Sequence, residues 1–156
     1  MFEKTSDVTR RLNQWRELRH NATSEEEVLE AFSQVKILPR YLDYWTPSDW
    51  PNAFEILEHG YFCATGIAIL LYQTLGNLKY LNQYQTSWKV ISNHVTGNDG
   101  AVFIHNEKVY NLTPGQTNSL DDLVAHSITL KDFKNFDYLL VFLVKNFHLQ
   151  VEYLKF

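Results

Sequence analysis

The only cysteine of the chain, Cys63, lies at the head of a long apolar run, and this feature constrains the fold most. A break at Gly60 precedes it, and residues 64–76 are almost entirely apolar. The pattern predicts a buried helix that begins at Cys63. Unpaired N–H groups and the helix dipole at such an end favour a thiolate, so Cys63 is a candidate nucleophile. The alternative role is that of a small buried apolar residue, which is common for a free cysteine.

Length, charge and composition predict one domain. At 156 residues, the chain can bury roughly two-thirds of its unfolded surface. Its 45% of hydrophobic residues excludes a disordered chain, and a net charge of −4 without a basic cluster argues against a nucleic-acid partner. Residues 1–7 lack a signal-peptide pattern, and no apolar run approaches the ~20 residues that span a bilayer. We therefore expect no membrane partner. One cysteine excludes an internal disulfide and fits a reducing compartment, so we also expect a cytoplasmic protein.

Residues that could bind metals or phosphates form no recognisable motif. The six histidines show no metal-ligand spacing, and the glycines form no phosphate-binding loop. Acidic residues cluster where helices are expected to begin, at 25–27 and 121–122, which is typical of solvated first turns. The sequence therefore predicts neither a metal ion nor a cofactor.

Helix-forming patterns precede the cysteine, and strand-forming patterns follow its helix. Ser24 with Glu27 has the pattern of a capping box, and Asn106-Glu107 has the length of a two-residue hairpin turn. The predicted helices span residues 5–20, 25–35, 52–59, 63–77 and 119–124. The predicted strands span residues 85–91, 101–105, 108–113, 136–145 and 147–156, although 138–144 also fits a helix.

These elements predict a single α+β domain in which the N-terminal helices and the cysteine-bearing helix pack on an antiparallel sheet. Residues 1–50 form its helical N-terminal part, 51–114 the candidate Cys/His/Asn core, and 115–156 a closing helix and strands. A loop at 92–100 separates the first strand from the hairpin.

The chain has helices first, then a cysteine that opens the central helix, and then an antiparallel sheet. This order of elements resembles that of the papain-like and transglutaminase-like cysteine enzymes. Residues 55–63, EILEHGYFC, resemble the transglutaminase-like segment that leads into the nucleophile, and 75–76 resemble the end of its helix. Residues 108–114, KVYNLTP, are similar to the strand in which that family has an Asp followed closely by Thr and Pro. The resemblance covers residues 51–114.

The resemblance implies that Cys63 is the nucleophile and that Asn111 orients a catalytic histidine, as Asn does in papain-like proteins. If Asn106-Glu107 is a two-residue turn, Asn111 lies opposite Val102, and the family's histidine lies two residues before Val102. Gly100 occupies that position. His105 falls on the other face of the strand, where we expect a surface or packing residue.

His94 is the remaining candidate for the catalytic base, since its spacing from Cys63 and Asn111 is close to that of the family. It falls in the predicted loop, so a bulge, a longer strand or a fold across the space beside Gly100 would have to bring it to the thiol. Otherwise it is an ordinary exposed loop histidine. An oxyanion hole would use the N–H of Cys63 with a donor from Gln34 or Trp50.

The sequence supports two main hypotheses. The first is a thiol hydrolase or acyl transferase that acts on an amide of a protein or peptide: Cys63 attacks, His94 transfers the proton and Asn111 orients the imidazole. The second is a catalytically inactive member of this fold that serves as a binding or inhibitory protein, with Gly100 marking the missing imidazole. A helix-rich interaction domain unrelated to cysteine enzymes is a third alternative.

Overall fold

The computed structural model describes residues 2–39, 42 and 49–133. The helices of this part are α1 (Val8–Asn21), α2 (Glu25–Ser33), α3 (Ala53–His59), α4 (Ala64–Asn77) and α5 (Leu120–His126). The strands are β1 (Thr86–Asn93), β2 (Asp99–His105), β3 (Lys108–Tyr110), β4 (Thr117–Asn118) and β5 (Ser127–Asp132). All neighbouring strands are antiparallel, in the order β4-β3-β2-β1-β5. The predicted α+β class is confirmed.

Polar side chains fix the starts of the helices. Reciprocal capping boxes open α3, through Asn52 and Glu55, and α5, through Ser119 and Asp122. The capping box predicted for α2 forms only in part. Ser24 accepts from the N–H of Glu27 at 3.2 Å, but the Glu27 carboxylate accepts from the N–H and hydroxyl of Thr23 instead of reaching back to Ser24.

The connection from α3 to α4 depends on two glycines. Gly60 ends α3 with φ of 70°, and its N–H donates to the carbonyl of Ile56 at 2.8 Å. Gly66 lies in the first turns of α4, where an added Cβ would stand 1.8 Å from the carbonyl oxygen of Tyr61. The chain before Cys63 therefore crosses directly over α4, and this close approach requires a residue without a side chain.

The sheet is apolar on both faces. Nearly all of α4 is buried, and its Tyr72 ring contacts Trp88 of β1 at 5.4 Å and Phe103 of β2 at 5.6 Å. Phe103 in turn stacks on Tyr110 of β3 at 4.8 Å. The alternate residues of the strands form a second cluster with α5: Ile91, Val102, Val109, Leu112 and Leu123. α4 and α5 thus cover opposite faces, and the first turn of α4 meets one end of the sheet.

The turn and register of the hairpin are confirmed, whereas the extent of the loop before it is not. Phe103 pairs with Tyr110, and Asn106 and Glu107 form the two-residue turn with φ of 51° and 64°. The predicted loop at 92–100 is wrong in extent, because β1 continues to Asn93 and β2 begins at Asp99.

Two strands of the sheet, β4 and β5, were missed by the sequence patterns. The strands predicted at 136–145 and 147–156 lie outside the described residues. Among the described residues, no helix has the length and apolar character needed to cross a membrane.

Candidate functional site

Cys63 is the N-cap residue of α4 and is buried, with 1% of its surface exposed. Its side chain makes no capping hydrogen bond. It lines a cavity of about 300 Å³, which we call the thiol cavity; the other described residues around it are Leu38, Ala64, Thr65, Gly97, Asn98 and Asp99. The first turn of α4 therefore forms one wall of this cavity, and the connection between β1 and β2 forms the opposite wall.

Asn111 lies beside the start of α4 and is not part of a strand. β3 ends at Tyr110, and Asn111 has a left-handed φ of 73°, so the expected ladder position opposite Val102 is wrong. The side-chain Nδ2 of Asn111 donates to the carbonyl of Ala64 at 2.9 Å and to that of Ala101 at 3.1 Å. Asn111 thus ties β2 to the residue that follows Cys63.

Gly100 brings the backbone of β2 against the first turn of α4. A Cβ at residue 100 would lie 2.7 Å from the Cβ of Ala64, and 3.4 Å from both the nitrogen and the hydroxyl of Thr65. No side chain fits there unless the helix moves, because real Cβ atoms do not approach so closely. The helix therefore fills the space into which a side chain at position 100 would project.

His94 is the first residue after β1 and is exposed. Its N–H donates to the carbonyl of His126 at 2.8 Å, and Asn93 holds the turn by accepting from the N–H of Val95 at 2.8 Å and of Thr96 at 3.3 Å. Within the described part of the chain, the His94 ring makes no hydrogen bond or ion pair and does not line the thiol cavity. The structure places the side chain of Asn111 against Ala64, the residue after Cys63; the roles of Cys63, His94 and Asn111 in catalysis stay predictions.

The other residues considered from the sequence lie apart from the thiol cavity. His105 is buried, and its Nε2 accepts from the N–H of Asn82 at 3.2 Å, which agrees with a packing role. Burial lowers the pKa of His105, and the neighbouring Glu25 raises it by a smaller amount. Trp50 packs in the core, 5.4 Å from Trp88. Neither residue lines the thiol cavity.

A second cavity of about 270 Å³ lies next to the first, and we call it the Lys36 cavity. Leu38 lines both cavities, and its N–H donates to the carbonyl of Phe62, the residue before Cys63, at 2.9 Å. The remaining residues around it are Phe2, Glu3, Lys4, Thr5, Gln34, Lys36 and Phe62 itself. The sequence patterns did not identify residues 2–5 as part of a site, because their position depends on how the N-terminal segment folds back.

The fold is similar to that of a solved protein, Legionella pneumophila LapG in its calcium-bound form. The TM-score is 0.62 at 15% sequence identity, over 83% of this chain and 77% of that chain. At this identity the likeness concerns the fold alone, and it supports a distant papain-like/transglutaminase-like fold. No protein-family model and no curated protein sequence matches the chain. Among the described residues, no three His, Cys, Asp or Glu side chains come together as metal ligands.

Proposed function

We propose that this chain is a catalytically inactive protein with a transglutaminase-like fold, and that it acts by binding a protein or peptide at the thiol cavity. The observation that carries the proposal is the contact between Gly100 and Ala64, whose Cβ stands 2.7 Å from where a side chain at residue 100 would begin. By the resemblance, position 100 is that of the catalytic histidine. An imidazole is absent from this position, and the helix occupies its space.

The state of the other site residues also supports binding over catalysis. A cysteine nucleophile requires a base within hydrogen-bond reach, directly or through one water. The thiol of Cys63 is buried, whereas the ring of His94 is exposed and lies outside the lining of the thiol cavity. The side-chain N–H groups of Asn111 are directed at two main-chain carbonyls, which gives Asn111 a structural task.

The second candidate is a thiol hydrolase or acyl transferase. One observation favours it: the turn that begins with His94 continues into Gly97 and Asn98, which line the thiol cavity. In that mechanism Cys63 attacks an amide carbonyl, His94 takes the thiol proton and passes it to the leaving amine, and Asn111 orients the ring. Water or an amine then takes the acyl group from the thioester.

The calcium ion of the LapG structure is not carried over to this chain. Among the described residues, no three His, Cys, Asp or Glu side chains come together, so no carboxylate cluster of the kind that binds calcium is found there. The proposal therefore contains no step that involves a metal ion.

The rate of Cys63 alkylation in the native protein separates the two candidates. For a binding protein, we expect slow alkylation at pH 6 to 7, and the same rate in wild type and His94→Ala. His20→Ala, a change at an exposed histidine of α1, is the matched control. A glutamine-containing peptide mixture incubated with the protein should release neither ammonia nor cleaved fragments.

Two results would overturn the inactive assignment. The first is rapid alkylation at pH 6 that falls at least tenfold in His94→Ala but not in His20→Ala. The second is peptide cleavage or ammonia release that is lost in Cys63→Ala. Either result would establish the hydrolase or acyl transferase in its place.

A further inference from the structure

We infer that the Lys36 cavity is a second subsite, which takes an acidic side chain of an extended peptide whose neighbouring part enters the thiol cavity. The inference rests on the proposed binding function and names the chemistry of the ligand. It follows from the adjacency of the two cavities, the construction of the Lys36 cavity and its charge.

The two cavities share one lining residue, Leu38. Its hydrogen bond to the carbonyl of Phe62 fixes the backbone between them. With volumes of about 300 Å³ and 270 Å³, each is comparable to the smaller ligand pockets of proteins. An extended ligand that crosses Leu38 can therefore place one group in each cavity.

The walls of the Lys36 cavity are held in place before any ligand binds. Phe2 is buried and stacks on Phe62 with ring centroids 6.2 Å apart, and its N–H donates to the side chain of Gln14 at 3.1 Å. The buried Arg11 donates to the carbonyl of Lys4 at 3.1 Å and to that of Leu57 at 2.6 Å. A fixed wall lowers the entropic cost of binding, because it does not have to be ordered by the ligand.

The charges around the cavity select an acidic group. Lys4 and Lys36 stand against one carboxylate, that of Glu3, on a chain whose net charge is −4. Lys36 is exposed and makes no ion pair with any described residue, and the amide of Gln34 lies in the same lining. A lining that contains an ammonium group, an amide and two aromatic rings suits the carboxylate and methylenes of a Glu or Asp side chain.

The test begins with a random heptapeptide library displayed on phage and panned against the full chain. A selected peptide is then synthesised with Glu, Gln or Lys at its acidic position, and the affinity of each form is measured by fluorescence polarisation. We expect the Glu form to bind at least fivefold more tightly than the Gln form, with a difference that shrinks as salt is added.

Variants of the protein test whether Lys36 causes the preference for an acidic residue. Lys36→Glu should lower the affinity for the Glu form at least tenfold and reverse the preference in favour of the Lys form. Arg16→Glu, on the exposed surface of α1 and outside both linings, makes the same charge change and should alter affinity less than twofold. Circular dichroism checks that both variants are folded.

The experiment distinguishes failure of the acidic subsite from failure of the binding function. If selected peptides bind and Leu38→Trp abolishes their binding, but acidic residues are not enriched and Lys36→Glu has no effect, the subsite is wrong and the binding function stands. If no peptide binds even at millimolar concentration, the binding function itself fails, and the subsite fails with it.

Discussion

The two walls of the thiol cavity are built in different ways. On the side of α4, the backbone of β2 at Gly100 lies against Ala64, and Asn111 ties both together through its side-chain amide. On the opposite side, a turn held by Asn93 leaves the ring of His94 exposed. The first wall is fixed by close packing and hydrogen bonds to main-chain carbonyls. The turn that leads into the second wall has a fixed backbone, but its histidine ring lies outside the cavity lining and has no described partner.

The residues near Cys63 therefore differ in how much they contribute to the fold. The hydrogen bonds of Asn111 join the first turn of α4 to the sheet, so they contribute to the fold. The ring of His94 makes no such contact, so its removal should cost the fold little. Substitutions on the two walls should therefore have effects of very different size.

The largest effect is expected from Asn111→Asp. The change replaces an N–H donor by a carboxylate that faces the carbonyl oxygens of Ala64 and Ala101, so the protein should lose about 3 kcal/mol of unfolding free energy at pH 7. The two carbonyls raise the pKa of the introduced acid, so the deficit should shrink as the pH falls towards 4 and the acid becomes a donor. Urea denaturation at both pH values measures the difference.

Asn106→Asp is the matched control for this change. Asn106 also has a left-handed φ, of 51°, but it lies in the exposed hairpin turn, where Asp is well tolerated. Its cost should stay within about 0.5 kcal/mol. Equal effects of the two variants would show that the Asn111 contacts contribute nothing.

Gly100→Ala should cost about 2 kcal/mol, because the new methyl group overlaps with Ala64 at 2.7 Å. Removing the opposing methyl group in Ala64→Gly should relieve much of this cost. A double-mutant cycle measured by denaturation should therefore give a favourable coupling of about 1 kcal/mol or more. Additive effects in the cycle would mean that the two residues are not in contact and that α4 does not close the histidine position.

Acidification should destabilise the protein through His105, with a smaller effect. Burial lowers the pKa of His105, so below the ordinary value of about 6.5 the unfolded chain binds more protons than the folded one. The contribution is fully present above that pH and is lost as the pH falls through the folded-state pKa. His105→Gln should lose less stability than wild type between pH 8 and pH 5, as measured by urea denaturation. An unchanged pH profile in the variant would contradict this.

The smallest effect is expected from His94→Ala, within about 0.5 kcal/mol in unfolding free energy, because its ring has no partner among the described residues. Asn93→Ala provides the contrast within the same turn. Its side chain accepts from two N–H groups and donates to the carbonyl of Leu112 at 2.9 Å, so its loss should cost about 1–3 kcal/mol. A cost above 1 kcal/mol for His94→Ala would reveal contacts that the proposal does not include.

Much of the fold followed from local signals. The break at Gly60, the apolar run after Cys63 and the two-residue turn at Asn106-Glu107 predicted α4 and the hairpin register, because helix ends and hairpin turns are fixed by a few neighbouring residues. β5 was missed although Ile128 and Leu130 alternate with polar residues there. A short strand of this kind is stabilised by its pairing with β1, which is distant in sequence.

The candidate site was predictable only in part. The resemblance, applied to the expected hairpin register, led to position 100 as the place of the family's histidine and to Asn111 as its orienting residue; both assignments stay predictions. The register did not predict that β3 ends at Tyr110 or that the Asn111 side chain donates to the carbonyl of Ala64. This contact is made with α4, which is distant in sequence, so local patterns do not reveal it. Gly66 was likewise part of an apolar run, and only the path of the chain at Tyr61 explains why it is a glycine.

The sequence by itself determined that Cys63 opens a buried helix and that residue 100 carries no side chain. Both are properties of local pattern and residue identity. Only the tertiary structure decided what the missing side chain at residue 100 means. The space beside a glycine can either admit a histidine from elsewhere in the chain or be filled by neighbouring residues. Here the first turn of α4 closes it at Ala64, because close packing of helix and strand leaves no space where two backbones meet.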